Sequence, residues 1–146
     1  SPNLPNDLSI ALYPSTCLFE GTIVSVGRGT QMPFQHIGHP DYPDRSYSFT
    51  PKPMEGAKEP KLNGQVCYGL DFTKEEIVYQ FDVNSVIDFY NKMGQPEDFF
   101  TSYFKLLAGD LDEQIKAGMT AQEIRATWRE ELKAYKEMRE GYLMYD

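Results

Sequence analysis

The sequence has no apolar run near the roughly 20 residues that a membrane-crossing helix needs, and it does not open with the charged, apolar and small-residue pattern of a signal peptide. Basic residues are scarce. With 14 Lys and Arg against 22 Asp and Glu, the net charge of -8 argues against nucleic acid or an anionic membrane as partner, since both are bound chiefly through clustered Lys and Arg. There are two cysteines, Cys17 and Cys67. They permit one disulfide without demanding it, because apolar or aromatic neighbours suit buried thiols equally well. There are also two histidines, His36 and His39, with Asp41 and Asp44 close behind. Gly38 and Pro40 make that run a loop rather than one helix face, so no metal is expected there. The GxxxxGK[ST] spacing of a phosphate loop is missing too, and no cofactor is expected. With no internal repeat, low-complexity run or linker, 146 residues read as one domain. The opening Ser1-Pro2-Asn3-Leu4-Pro5, without an initiator Met, reads as the middle of a longer protein.

What is there concentrates in Cys17 to Pro40, CLFEGTIVSVGRGTQMPFQHIGHP. An acid (Glu20), an arginine between glycines (Gly27, Arg28, Gly29), the hydroxyls of Thr22, Ser25 and Thr30, and both histidines share one loop-like run. Buried polar groups need partners and glycine loses much backbone freedom on folding, so such a run is costly in a mere connector and reads as a binding surface. Arg28 offers a planar fork that binds a carboxylate bidentately, where glycines let a ligand approach the backbone. An internal ion pair with Glu20 is the competing reading. Glu20 has no second acid nearby in a compelling context, so it is not assigned catalysis; orienting Arg28 suits it better.

Along the chain, residues 1–8 read as an extended entry loop, and Leu8 to Tyr13 as a strand or one helical turn ended by Pro14. Leu18 to Val26 is β-branched enough for a strand broken by Gly27 and Gly29. Residues 31–60 should be sparse in regular structure, with a short strand at Tyr47 to Thr50. Gly64 to Phe72 alternates like a strand, and Glu76 to Phe81 extends the sheet. From Asp82, a predicted cap, Val83, Val86, Ile87 and Tyr90 fall at helical spacing to about Met93. Phe99 to Leu107 suits a short helix or strand, and Asp110 to Ala117 a helix stopped by Gly118. Thr120 and Glu123 form a capping box for a long amphipathic C-terminal helix whose stripe is Ile124, Trp128, Leu132 and Tyr135, with Trp128 as core anchor. Irregular mixed β structure in the first half and helices in the second, without βαβ alternation, make an α+β fold. Aromatics such as Tyr13, Phe34 and Tyr68 are expected mainly to build the core, with one or two lining a cleft.

The runs SPNLP, YPSTCLFEGTIVSVGRGTQMPFQHIGHP, FTPKP, NGQVCYGLDF and IRATWREELKAYKEMREGYLMY, in this order across nearly the whole chain, resemble the C-terminal part of a bacterial family of exo-β-N-acetylmuramidases of peptidoglycan recycling. The resemblance implies a two-domain glycoside hydrolase, with an N-terminal Rossmann-like domain, absent from this chain, carrying the catalytic glutamate, and with the active site between the domains. This chain would then be the substrate-binding, cleft-forming half, without a catalytic residue of its own. Its partners would be a muramyl saccharide and that N-terminal domain, with a homodimer left open, and the protein would be exported. The resemblance also gives Arg28 a target, the lactyl carboxylate that separates N-acetylmuramic acid from N-acetylglucosamine. On that reading Arg28, with Glu20, Ser25, Gly29 and Thr30, forms the substrate-facing wall, and Tyr13 and His36 stand nearby. A non-catalytic glycan-binding module and a structural or dimer-forming domain are the competing functions.

Overall fold

The computed structural model describes residues 1–74 and 80–143. The first helix, α1 (Asp7–Thr16), starts on a reciprocal cap: Asn6 Oδ1 accepts from the Ser9 amide at 2.9 Å while Ser9 Oγ accepts from the Asn6 amide. The helix runs through Pro14 instead of ending there. In the last turn proline removes one hydrogen bond, and the cap at the other end offsets that loss. A 3₁₀ turn, Cys17–Gly21, follows directly. The strand expected over Leu18 to Val26 is therefore replaced by this turn and two isolated bridges, Thr22 with Phe100 and Ser25 with Gly38. Gly21 explains the difference. A side chain there would stand 2.6 Å from the Phe104 Cα, and Thr101 donates both its amide and its hydroxyl to the Gly21 carbonyl at 2.9 Å, so a helix lies across the turn where a strand partner would be.

The sheet has three antiparallel strands, β1 (His36–His39), β2 (Ser48–Phe49) and β3 (Cys67–Asp71), in the order β1-β3-β2. Two of these lie where alternation and aromatic content predict them. β1 does not, for its His-Ile-Gly-His sequence reads as loop. It forms a strand because Gly38 faces Gly69 across the pair, and a Cβ on Gly69 would overlap the Ile37 carbonyl. The predicted sheet extension over Glu76 to Phe81 falls mainly outside the described residues.

The second half is helical: α2 (Asn84–Lys92), α3 (Ser102–Ala108), α4 (Leu111–Lys116), α5 (Ala121–Thr127) and α6 (Arg129–Glu140). This is the expected α+β arrangement. Asp82 accepts from the Asn84 amide at 3.0 Å, one position outside the cap itself, and α3 and α4 stop at left-handed Gly109 and Gly118. Thr120 and Glu123 form the predicted capping box. The long final helix, however, is two. It breaks at Trp128, which is half-buried against the core beside Phe81 rather than a fully buried anchor. Ile124 is buried, but Leu132 and Tyr135 are 48% and 55% exposed, and α6 buries no residue.

One aromatic core joins the halves. Tyr42 stacks on Phe89 at 4.3 Å, Phe19 meets Phe89 edge-on, and Phe99, Phe100 and Phe104 continue the chain of rings. Cys17 and Cys67 are unpaired thiols, and burial pushes the Cys67 thiol up to about 11.

Two glycines should separate by chemical denaturation. Gly69→Ala, which forces apart β1 and β3, should cost more than about 3 kcal/mol. Gly64→Ala, with open space but a left-handed backbone, should cost only about 1 kcal/mol. Equal losses would refute the close-approach explanation.

Candidate functional site

Arg28 stands on a turn with a glycine at each shoulder, Gly27 at φ 75° and Gly29 at φ 87°. At Gly27 a side chain would run into the His36 ring. At Gly29 it would meet the Lys52 carbonyl and Pro60 at 2.7 Å. The turn is held from inside. Thr30 Oγ1 donates to the Gly27 carbonyl at 2.7 Å, which uses its only hydrogen, so the 2.9 Å contact with His36 Nε2 requires the imidazole to donate. His36 Nδ1 then accepts from the Tyr47 hydroxyl at 2.8 Å. The ring also stacks on Phe49 at 3.9 Å. This neutral tautomer matches its environment, since burial pulls His36 down to about 4 against the opposing charge of Asp71.

On the outer side of the turn, Arg28 Nη1 donates to Glu20 Oε1 at 3.3 Å and Nη2 to the Gly56 carbonyl at 3.3 Å. Glu20 and Arg28 are 24% and 40% exposed, so the pair is wet on one side, and each keeps hydrogen-bonding capacity facing solvent. The cleft they border holds about 330 Å³ and is lined by Glu20, Ser25, Arg28, Gly56, Pro60 and Lys61 among others. The competing reading of Arg28 as an internal ion pair is thus part of the geometry, and it does not exhaust the guanidinium: two of its five N–H groups have partners among the described residues.

The predicted residues divide into two layers. Glu20, Ser25 and Arg28 line the cleft. Gly29, Thr30 and His36 lie behind it: His36 is 1% exposed with both ring nitrogens engaged, so it supports the wall rather than touching a ligand. Ser25 accepts from the Gly27 amide at 3.2 Å, helping to shape the same turn. Tyr13, 39% exposed, is not among the residues that line the cleft and meets Phe34 edge-on at 5.0 Å. Its phenol is raised chiefly by burial and then by Cys17, Glu20 and Tyr103, with Arg28 opposing.

Sequence reasoning missed the opposite wall, Gly56 to Lys61. Its signal was present in EGAKEPK, where glycine, proline and four charges share seven positions. No group of three or more His, Cys, Asp or Glu side chains gathers among the described residues. Nor is any helix among them long and apolar enough to cross a membrane.

A family model described as "Exo-beta-N-acetylmuramidase NamZ, C-terminal" matches residues 11–145. The peptidoglycan β-N-acetylmuramidase NamZ of Bacillus subtilis is 31% identical over 99% of this chain and 39% of its own length. A crystal structure of a DUF1343 family protein from Bacteroides fragilis superposes with a TM-score of 0.94 at 39% identity, covering all of this chain and 43% of that one. The chain spans about two fifths of the length of these relatives.

His36 gives a pH test. The unfolded imidazole takes a proton near 6.5 and the folded one only near 4, so the unfolded chain binds more protons in that window and stability falls as pH drops through it. Unfolding free energies at pH 7 and pH 4 should show His36→Gln less acid-sensitive than the wild type by about 3 kcal/mol. A difference that stays constant with pH would contradict the buried neutral ring.

Proposed function

The chain belongs to the family of C-terminal parts of the exo-β-N-acetylmuramidase NamZ, and from that premise we propose that it is the substrate-contacting half of a glycoside hydrolase that removes terminal N-acetylmuramic acid from peptidoglycan-derived glycans. The supporting observation is the Glu20–Arg28 pair on the rim of an open cleft. A guanidinium fixed by one carboxylate and one carbonyl is pre-oriented, and its remaining donors suit a second carboxylate. N-acetylmuramic acid presents such a group on its lactyl ether, and N-acetylglucosamine does not. The wall built by Ser25, Gly29, Thr30 and His36 keeps Arg28 in place, while Glu20 balances its charge when the cleft is empty.

On this reading the chain supplies recognition, and the bond-breaking groups come from an N-terminal Rossmann-like part of the longer protein. A chain spanning 39% of a curated muramidase leaves ample length for such a part. Export goes with the same proposal, because the polymer it trims lies outside the cytoplasm.

Arg28→Lys in the full-length protein tests the proposal. Lysine keeps the charge and loses the fork, so the preference for a chromogenic muramic acid glycoside over its N-acetylglucosamine counterpart should fall about 10- to 100-fold. An unchanged ratio of kcat/KM values would remove Arg28 as the reader of the carboxylate.

A further inference from the structure

Four backbone carbonyls, those of Phe19, Glu20, Thr22 and Val24, converge on the Nζ of Lys61. The contacts from Phe19, Glu20 and Val24 are 3.4, 3.2 and 3.2 Å, and the Thr22 carbonyl is also in hydrogen-bond contact. These carbonyls belong to the turn that carries Glu20 and to the segment leading to Arg28. Among the described residues that segment makes isolated bridges and no continuous strand ladder. The Lys61 side chain comes from the far wall of the same cleft, 37 to 42 residues away in sequence. An ammonium has three hydrogens and no lone pair, so it is suited to gathering carbonyls that cannot bond to one another.

We propose that Lys61 is the positioning residue of the cleft: its ammonium draws the Phe19–Val24 backbone against the Gly56–Lys61 wall and thereby sets where Glu20 and Arg28 stand. The inference rests on the muramyl-binding reading for its consequence in affinity, and on the backbone geometry alone for its mechanical part. All three ammonium hydrogens face protein carbonyls, so Lys61 acts through Glu20 and Arg28 and does not itself meet the ligand. Two further observations fit. Arg28 also grips the same wall, at the Gly56 carbonyl, so both cations tie the two sides of the cleft together. Lys61 is exposed as a whole residue, but its ammonium is enclosed by these carbonyls, and burial lowers it to about 8, with Glu20 opposing. The other charges around it are Arg28, Lys58 and Glu59 along the cleft and, in the hollow on its other side, Asp41, Asp98 and His39 of β1, whose own ionisation Lys61 disfavours.

The test compares wild type, Lys61→Met, Lys61→Gln and Lys61→Arg in the full-length protein. Backbone amide exchange over residues 19–28 should rise about tenfold or more in Lys61→Met and Lys61→Gln, while amides of α2 and β3 keep their protection. Unchanged exchange over 19–28 in both variants, or an equal rise everywhere, overturns the proposal. With a chromogenic muramic acid glycoside, KM should rise about tenfold with kcat within about twofold, because uniform binding is what a displaced Arg28 loses. Wild-type affinity should weaken above about pH 8 as the ammonium loses its proton. Lys61→Arg, charged throughout, should bind more weakly at pH 7 yet show no such fall. Raised exchange with KM untouched would overturn the link to ligand. A wild type without muramidase activity would refute the proposed function instead, and the exchange measurements would still decide the role of Lys61.

Discussion

The imidazole of His36 is the constraint on which the cleft depends. It touches four things at once: the Gly27 backbone, the Thr30 hydroxyl, the Tyr47 hydroxyl and the face of Phe49. The first two belong to the turn bearing Arg28 and the last two to the segment of β2, so the ring ties one to the other. Because the ring sits where a Gly27 side chain would be, the turn bearing Arg28 cannot collapse inward. Because Thr30 is committed to Gly27, the turn cannot open outward. The cost is an interior imidazole kept neutral, and Thr30 before β1 with Tyr47 and Phe49 at β2 are the groups that enclose it.

That inner constraint has an outer counterpart of opposite sign. The interior group is a neutral ring with every polar atom matched, whereas on the rim the cations Arg28 and Lys61 are each bonded to carbonyl oxygen on another segment. In a chain of net charge -8 these cations, with Lys58 beside them, are a local concentration, set in a cleft whose carboxylates are Glu20 and Glu59. On the proposed reading, an anionic sugar would meet Arg28 with guanidinium donors to spare. The surrounding acidity leaves that attraction local to the rim.

Much of this was legible in the residues and some was not, for reasons that follow from range. Gly27 and Gly29 announce a break in regular structure by composition, and Thr120 with Glu123 announces a helix start, because both depend on neighbours a few positions apart. The helix through Pro14 was hidden because a cap at Asn6 outweighs a proline near the far end. Strand β1 was hidden because its pairing depends on Gly69, 31 positions beyond Gly38. Lys61 was hidden for the same reason: its partners lie 37 to 42 positions back and are carbonyls, which leave no mark on sequence. The apolar stripe of the last helix was read at its correct spacing, but spacing cannot say whether anything lies against it.

The stripe has a consequence for how substitutions in this chain will distribute. Leu106, Leu132, Tyr135 and Met138 are apolar and yet half or more solvent-exposed, apart from Leu132 at 48%. Core positions such as Phe19, Ile37 and Phe104 are tied to the folding equilibrium through the contacts they would lose. The positions on the outer face of α3 and α6 carry almost no such tie. Selection acting on them is therefore uncoupled from the stability of the chain, so its folding and the character of that surface can drift independently. Two sets of apolar residues, alike in composition, answer to separate pressures.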